Sequence, residues 1–68
     1  MNNQALLEKM EARGYTIQKM CEALGMSRSA FYRKRNGKSE FTLNEMNQIL
    51  TILRVKDPRE IFFKEKVS

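Results

Sequence analysis

Along the chain, apolar residues recur three and four positions apart, in short runs closed by glycine or asparagine. Segment 3–13 sets Leu6, Leu7 and Met10 on one side. Gly14 follows as a residue that takes positive φ without strain at a helix end. Segment 17–24 fits the amphipathic template more closely, with Ile17, Met20, Cys21 and Leu24 at i, i+3, i+4 and i+7. Thr16 stands ahead of it as an N-cap, and Gly25 closes it. A third helix is predicted to begin at once, capped by Ser27, with Met26 stapled onto Phe31 across the cap. It runs to about Arg35, after which Asn36-Gly37 supplies residues that tolerate left-handed conformations.

A fourth helix starts after Thr42, which with Glu45 makes a T-x-x-E capping box. Its Leu43, Met46, Ile49, Leu50 and Leu53 form a core-facing stripe about 120° wide at ~100° per residue. A fifth, short helix is expected with Asp57 as cap, Pro58 at N1 and Glu60 at N3, burying Ile61 and Phe62. Strand signals are absent. The predicted fold class is all-α: five short helices in a single domain over residues 1–68.

Composition narrows the chemistry. The 68 residues include no histidine and one cysteine. That removes Ser-His-Asp and Cys-His couples, imidazole metal ligands, an internal disulfide framework and CxxC redox pairs. Cys21 has no base to activate it and reads as packing, as do Met10, Met20, Met26 and Met46. Glu8, Glu11 and Glu22 lack the paired geometry of acid–base catalysis, and Glu45 and Glu60 are accounted for by capping. No enzyme activity, metal, cofactor or small-molecule ligand is expected. Apolar stretches of four residues or fewer fall far short of the roughly 20 that span a bilayer. The N-terminus lacks the basic-then-apolar order of a secretory signal. A cytoplasmic binding module is the expectation.

The charge distribution sharpens this. The net charge is +5. Residues 1–26 balance Lys9, Arg13 and Lys19 against Glu8, Glu11 and Glu22, and residues 40–68 balance in the same way. The whole excess lies in 27–39, as Arg28, Arg33, Lys34, Arg35 and Lys38 with no acid among them. Such a run is often only a solvated face. Here it falls on the second of two helices joined around a glycine, the helix-turn-helix arrangement. The first would be 17–24, with Cys21 or Ala23 small enough for a close crossing. The turn would be Gly25-Met26-Ser27, and the second helix 28–35, anchored by Phe31.

The stretch TIQKMCEALGMSRSAFYRKRNGKSEFTLNEMNQIL resembles the lambda-repressor-like (Xre/Cro-type) helix-turn-helix family, particularly small phage-type regulators. The likeness runs from the first helix to DPREIFF. It is most specific at 16–31 and in NGKSEFT at 36–42. Two departures stand out: Cys21 occupies a position where the family usually has Ala, and Lys34 one where an apolar residue often faces the core. The Lys34 stem must therefore pack while its amine snorkels.

The resemblance implies a lambda-repressor-like domain that inserts helix 28–35 into the major groove of double-stranded DNA. Arg28 would pair bidentately with guanine, with Ser29, Tyr32 and Arg33 also reading bases. Tyr32 has the alternative of a thymine methyl or a phosphate. Gln18, Ser27, Arg35, Lys38 and Ser39, with the backbone N–H groups of Asn36-Gly37-Lys38, would meet the sugar-phosphate chain. Family members usually bind as two-fold dimers, which implies a weak homodimer or one assembled on DNA. Ile52, Val55 and Phe63 lack an obvious interior role and are the candidate dimer contacts. A protein-binding, antirepressor-like modulator is the alternative function, because fold alone does not decide.

Overall fold

The structure, a computed structural model, describes residues 3–62. Among the described residues it contains four α-helices, α1 (Asn3–Ala12), α2 (Ile17–Leu24), α3 (Arg28–Arg35) and α4 (Leu43–Leu53), followed by a 3₁₀ turn, Pro58–Glu60. The capping residues act as their types dictate. Thr16, Ser27 and Thr42 each accept the N3 backbone N–H, from Lys19, Ala30 and Glu45 respectively, all at 3.1 Å. Glu45 returns the bond by accepting the Thr42 N–H at 2.9 Å, completing the capping box.

All four helices end in the same way. A residue two or three positions beyond each helix donates its N–H five residues back: Tyr15 to Met10, Met26 to Cys21, Lys38 to Arg33 and Val55 to Leu50, at 2.8–3.1 Å. This is the Schellman closure, and it needs a left-handed residue just before the donor. At Gly25, φ is 69°, a value the missing Cβ makes inexpensive. After α4 the same place is held by Arg54 at φ 56°, the one non-glycine with positive φ among the described residues. The closure turns the donor's side chain back onto the helix. Tyr15, Met26 and Val55 accordingly pack in or against the core, while the exposed Lys38 does not.

The expected fifth helix is a single 3₁₀ turn. Glu60 N–H bonds to Asp57 O, and Ile61 N–H to Pro58 O, both i→i+3. Asp57 caps it through the Arg59 N–H, two residues on rather than three. One turn this short lacks the hydrogen bonds that would offset nucleation of a separate α-helix. It nevertheless delivers Ile61 into the core, fully buried.

Leu6, Met10, Met20, Cys21, Phe31, Ile49 and Leu53 are buried with it. Three aromatic rings run through this core edge-to-face: Phe31 to Phe41 at 6.0 Å and Phe41 to Phe62 at 5.8 Å. Arg13 Nε donates to Leu53 O at 3.3 Å, tying the end of α1 to the end of α4 and satisfying one of its terminal carbonyls.

Four expectations need correction. Leu43, assigned to the inner stripe of α4, is 70% exposed. It sits at the rim of the stripe in the first residue of the helix, and its Cβ leans towards the N-terminus, beyond the neighbouring elements. Leu7, 100° round α1 from Leu6 by helical geometry, is 39% exposed. Asn36 has φ −88°, so Gly37 alone of that pair is left-handed. Val55, expected at a dimer contact, is a core residue, because Arg54 reverses the chain and aims it inward. Ile52 is half-buried against the core and lines an open groove with Ala23, Asn47, Gln48 and Thr51. Phe63 lies outside the described residues.

Candidate functional site

Helix α3 is short, basic and held from beneath. Among the described residues it buries Phe31 alone, which fixes its roll about its axis. Arg28, Ser29, Tyr32 and Arg33 are then all exposed. Their spacing of i, i+1, i+4 and i+5 makes them one face of the helix. Tyr32 stands outward at 40% exposure, with its ring edge against Phe31 at 6.5 Å. The four residues expected to read bases are therefore brought together on a single surface.

Gln18 opens α2 beside this face and is joined to it. Arg28 Nη2 donates to Gln18 Oε1 at 3.2 Å, and Gln18 Nε2 donates to Glu22 Oε2 at 3.3 Å. Ser27 Oγ is engaged as the α3 cap, and its hydroxyl proton stays available to an outside acceptor. Arg35 is half-buried and folds over the Tyr32 ring, 4.9 Å from its centroid. This cation–π contact stiffens the outer edge of the face.

The loop after α3 departs from the expectation. The backbone N–H groups of Asn36, Gly37 and Lys38 do not point outward. They donate to Tyr32 O, Lys34 O and Arg33 O at 2.9, 3.2 and 2.8 Å, closing the helix. Ser39 N–H joins them on Arg33 O at 3.2 Å. What the loop offers outward is side chains, Lys38 foremost. Asn36 Oδ1 accepts from Asn3 Nδ2 at 3.3 Å, which links the start of α1 to the end of α3. Ser39 is half-buried and lines a cleft of about 360 Å³ with Lys34, Gly37, Phe41, Met46 and Phe62.

Lys34 leaves the basic surface. Its stem packs, and its Nζ meets Glu45 Oε1 at 2.6 Å, with the two side chains 18% and 19% exposed. The Phe41 ring lies 6.0 Å below the same ammonium. One Glu45 oxygen thus takes both the Lys34 ammonium and the Thr42 N–H. Burial works against ionisation of Glu45, but the Lys34 ammonium and the Thr42 donors outweigh it and hold its carboxyl below the ordinary glutamate range. Capping alone therefore does not account for Glu45. The capping box is local and legible in the sequence, but its pairing with Lys34 depends on how α3 and α4 meet, which the spacing leaves open.

Cys21 is a free cysteine buried in the core. Burial pushes its thiol up, while the Arg28 charge lowers it and Glu22 raises it. Among the described residues no group of three His, Cys, Asp or Glu side chains is placed to hold a metal ion, and no helix is long and apolar enough to cross a membrane.

A sequence model described as the Cro/C1-type HTH DNA-binding domain matches residues 5–63. No curated protein and no solved structure matches the chain.

Proposed function

The chain belongs to the Cro/C1-type HTH DNA-binding domain family, and we propose that it is a sequence-specific transcriptional regulator laying α3 in the major groove of duplex DNA. One observation carries this reading. The helix that holds most of the chain's charge excess also presents Arg28, Ser29, Tyr32 and Arg33 on one exposed face, with Phe31 as its anchor. A major groove about 12 Å wide admits such a helix. Arg28 reads guanine through two parallel donors, and Ser29, Tyr32 and Arg33 contact neighbouring bases. Gln18, Ser27, Arg35, Asn36, Lys38 and Ser39 set the register through phosphates with their side chains.

The whole of 1–68 acts as one such module, and two copies assemble on paired half-sites, with Ile52 the described candidate for their contact. The role is that of a repressor or Cro-like switch protein of the kind phages carry. A basic, acid-free α3 favours DNA over the protein partner that an antirepressor-like modulator would bind.

Titration of duplex DNA across a salt series tests the reading. With about 4–6 phosphate contacts, log K falls against log salt with a slope near −0.9 per contact. Arg28→Ala weakens binding to a duplex selected from a random pool by about 1–3 kcal/mol and relaxes one base preference. Lys38→Ala weakens selected and random duplexes alike. Salt-insensitive or absent DNA binding, with capture of a protein partner instead, overturns the proposal in favour of the modulator.

A further inference from the structure

An acidic side chain stands at the rim of the basic face. Glu22 is exposed on α2, one turn beyond Gln18, and simple attraction to a polyanion would be stronger without it. Among the described residues no direct ion pair joins Glu22 to Arg28; the Gln18 amide lies between them. Arg28 donates to its oxygen at 3.2 Å, and its nitrogen donates to Glu22 at 3.3 Å. The chemistry of the two ends makes this relay directional. A guanidinium can only donate and an ionised carboxylate can only accept, so a single orientation of the amide satisfies both.

We infer that Glu22 is a positioning residue for base recognition: by polarising the Gln18 amide it fixes the direction from which Arg28 presents its remaining donors. The inference rests on the proposed DNA-binding role and adds a residue to it. A guanidinium held in place before docking loses less rotamer freedom when it meets a base edge. The Gln18 NH₂ group keeps a second hydrogen for a phosphate, so the relay and a backbone contact are compatible. Glu22 thus has two separable effects. It lowers the general attraction for DNA, and it raises discrimination among sequences.

Selection from a randomised duplex pool with the full chain supplies a preferred duplex, and a scrambled duplex of equal length serves as the reference. Glu22→Ala is expected to bind the scrambled duplex as well as wild type or better. Its preference for the selected over the scrambled duplex falls about threefold to tenfold, the worth of one such hydrogen bond. Glu22→Gln, which keeps an acceptor oxygen, retains most of the discrimination. In an Arg28→Ala background, Glu22→Ala changes discrimination no further.

Equal gains on both duplexes in Glu22→Ala would mean that Glu22 only repels DNA, and would overturn the inference. So would a loss in Glu22→Gln equal to that in Glu22→Ala, or a loss that persists without Arg28. If the wild type selects no duplex at all, the regulator reading fails, and the inference fails with it.

Discussion

Arg54 ends α4 at φ 56°, a conformation that costs an L-residue about 1–2 kcal/mol. Burial of the next residue offsets the strain, since the closure turns Val55 into the core. Nothing in the residue type announces this. Glycines 14, 25 and 37 mark the first three reversals in the sequence, whereas the fourth is enforced by packing on an arginine. In the sequence Val55 therefore reads as a residue without an interior role and a candidate dimer contact, where the structure buries it. Arg54→Gly relieves the strain but adds freedom to the unfolded chain, worth about 0.5–1 kcal/mol. A net gain of up to about 1 kcal/mol is expected, seen as a melting temperature several degrees higher. A melting temperature that falls would show that the guanidinium itself supports the turn.

Elements are joined at α3 and α4 by Lys34 and Glu45. The capping box was readable from Thr42 and Glu45 alone, because it is local. Its coupling to Lys34 was not, because the pair belongs to two helices whose crossing the pattern leaves open. The bond removes one cation from the basic surface, leaving Arg28, Arg33, Arg35 and Lys38 as its charges. It also ties the C-terminal end of α3 to the start of α4.

Glu45 ionises more readily in the folded chain than in the unfolded one. Its contribution is thus fully present above the unfolded value of about 4.3 and is lost as pH falls through the lower folded value. Glu45→Gln is expected to lower stability at neutral pH by about 1 kcal/mol. It should also flatten the decline below about pH 4.3 in acid melts followed by circular dichroism. An acid limb as steep in the variant as in wild type would assign that decline to other carboxylates.

At the scale of the whole molecule, the aromatic series from Phe31 through Phe41 to Phe62 ties the buried anchor of α3 to the chain on either side of α4. Phe31→Ala removes its first member, and truncating a buried phenylalanine costs about 3–5 kcal/mol. Against a total stability of about 5–15 kcal/mol, that is a large fraction. The expected result is a strongly lowered melting temperature with DNA binding lost in parallel. Arg28→Ala, on an exposed residue, should leave melting unchanged while binding falls. Binding lost in Phe31→Ala without any change in melting would separate the anchor from the fold.

What the sequence determined by itself was local or additive. Helix bounds followed from caps and from apolar spacing, because hydrogen bonds between near neighbours decide them. The position of the basic face followed from summing charge by segment, because no acid lay within that run. Tertiary structure decided whatever depends on two elements meeting. It turned Val55 inward, drew Lys34 out of the basic face onto Glu45, and set Gln18 between Arg28 and Glu22. It left Leu43 outside the stripe its spacing suggested, since a side chain in the first turn is buried only if another element reaches past it. It also directed the amides of 36–38 into the end of α3, because carbonyls left open by a helix are satisfied by the nearest donors before any ligand arrives.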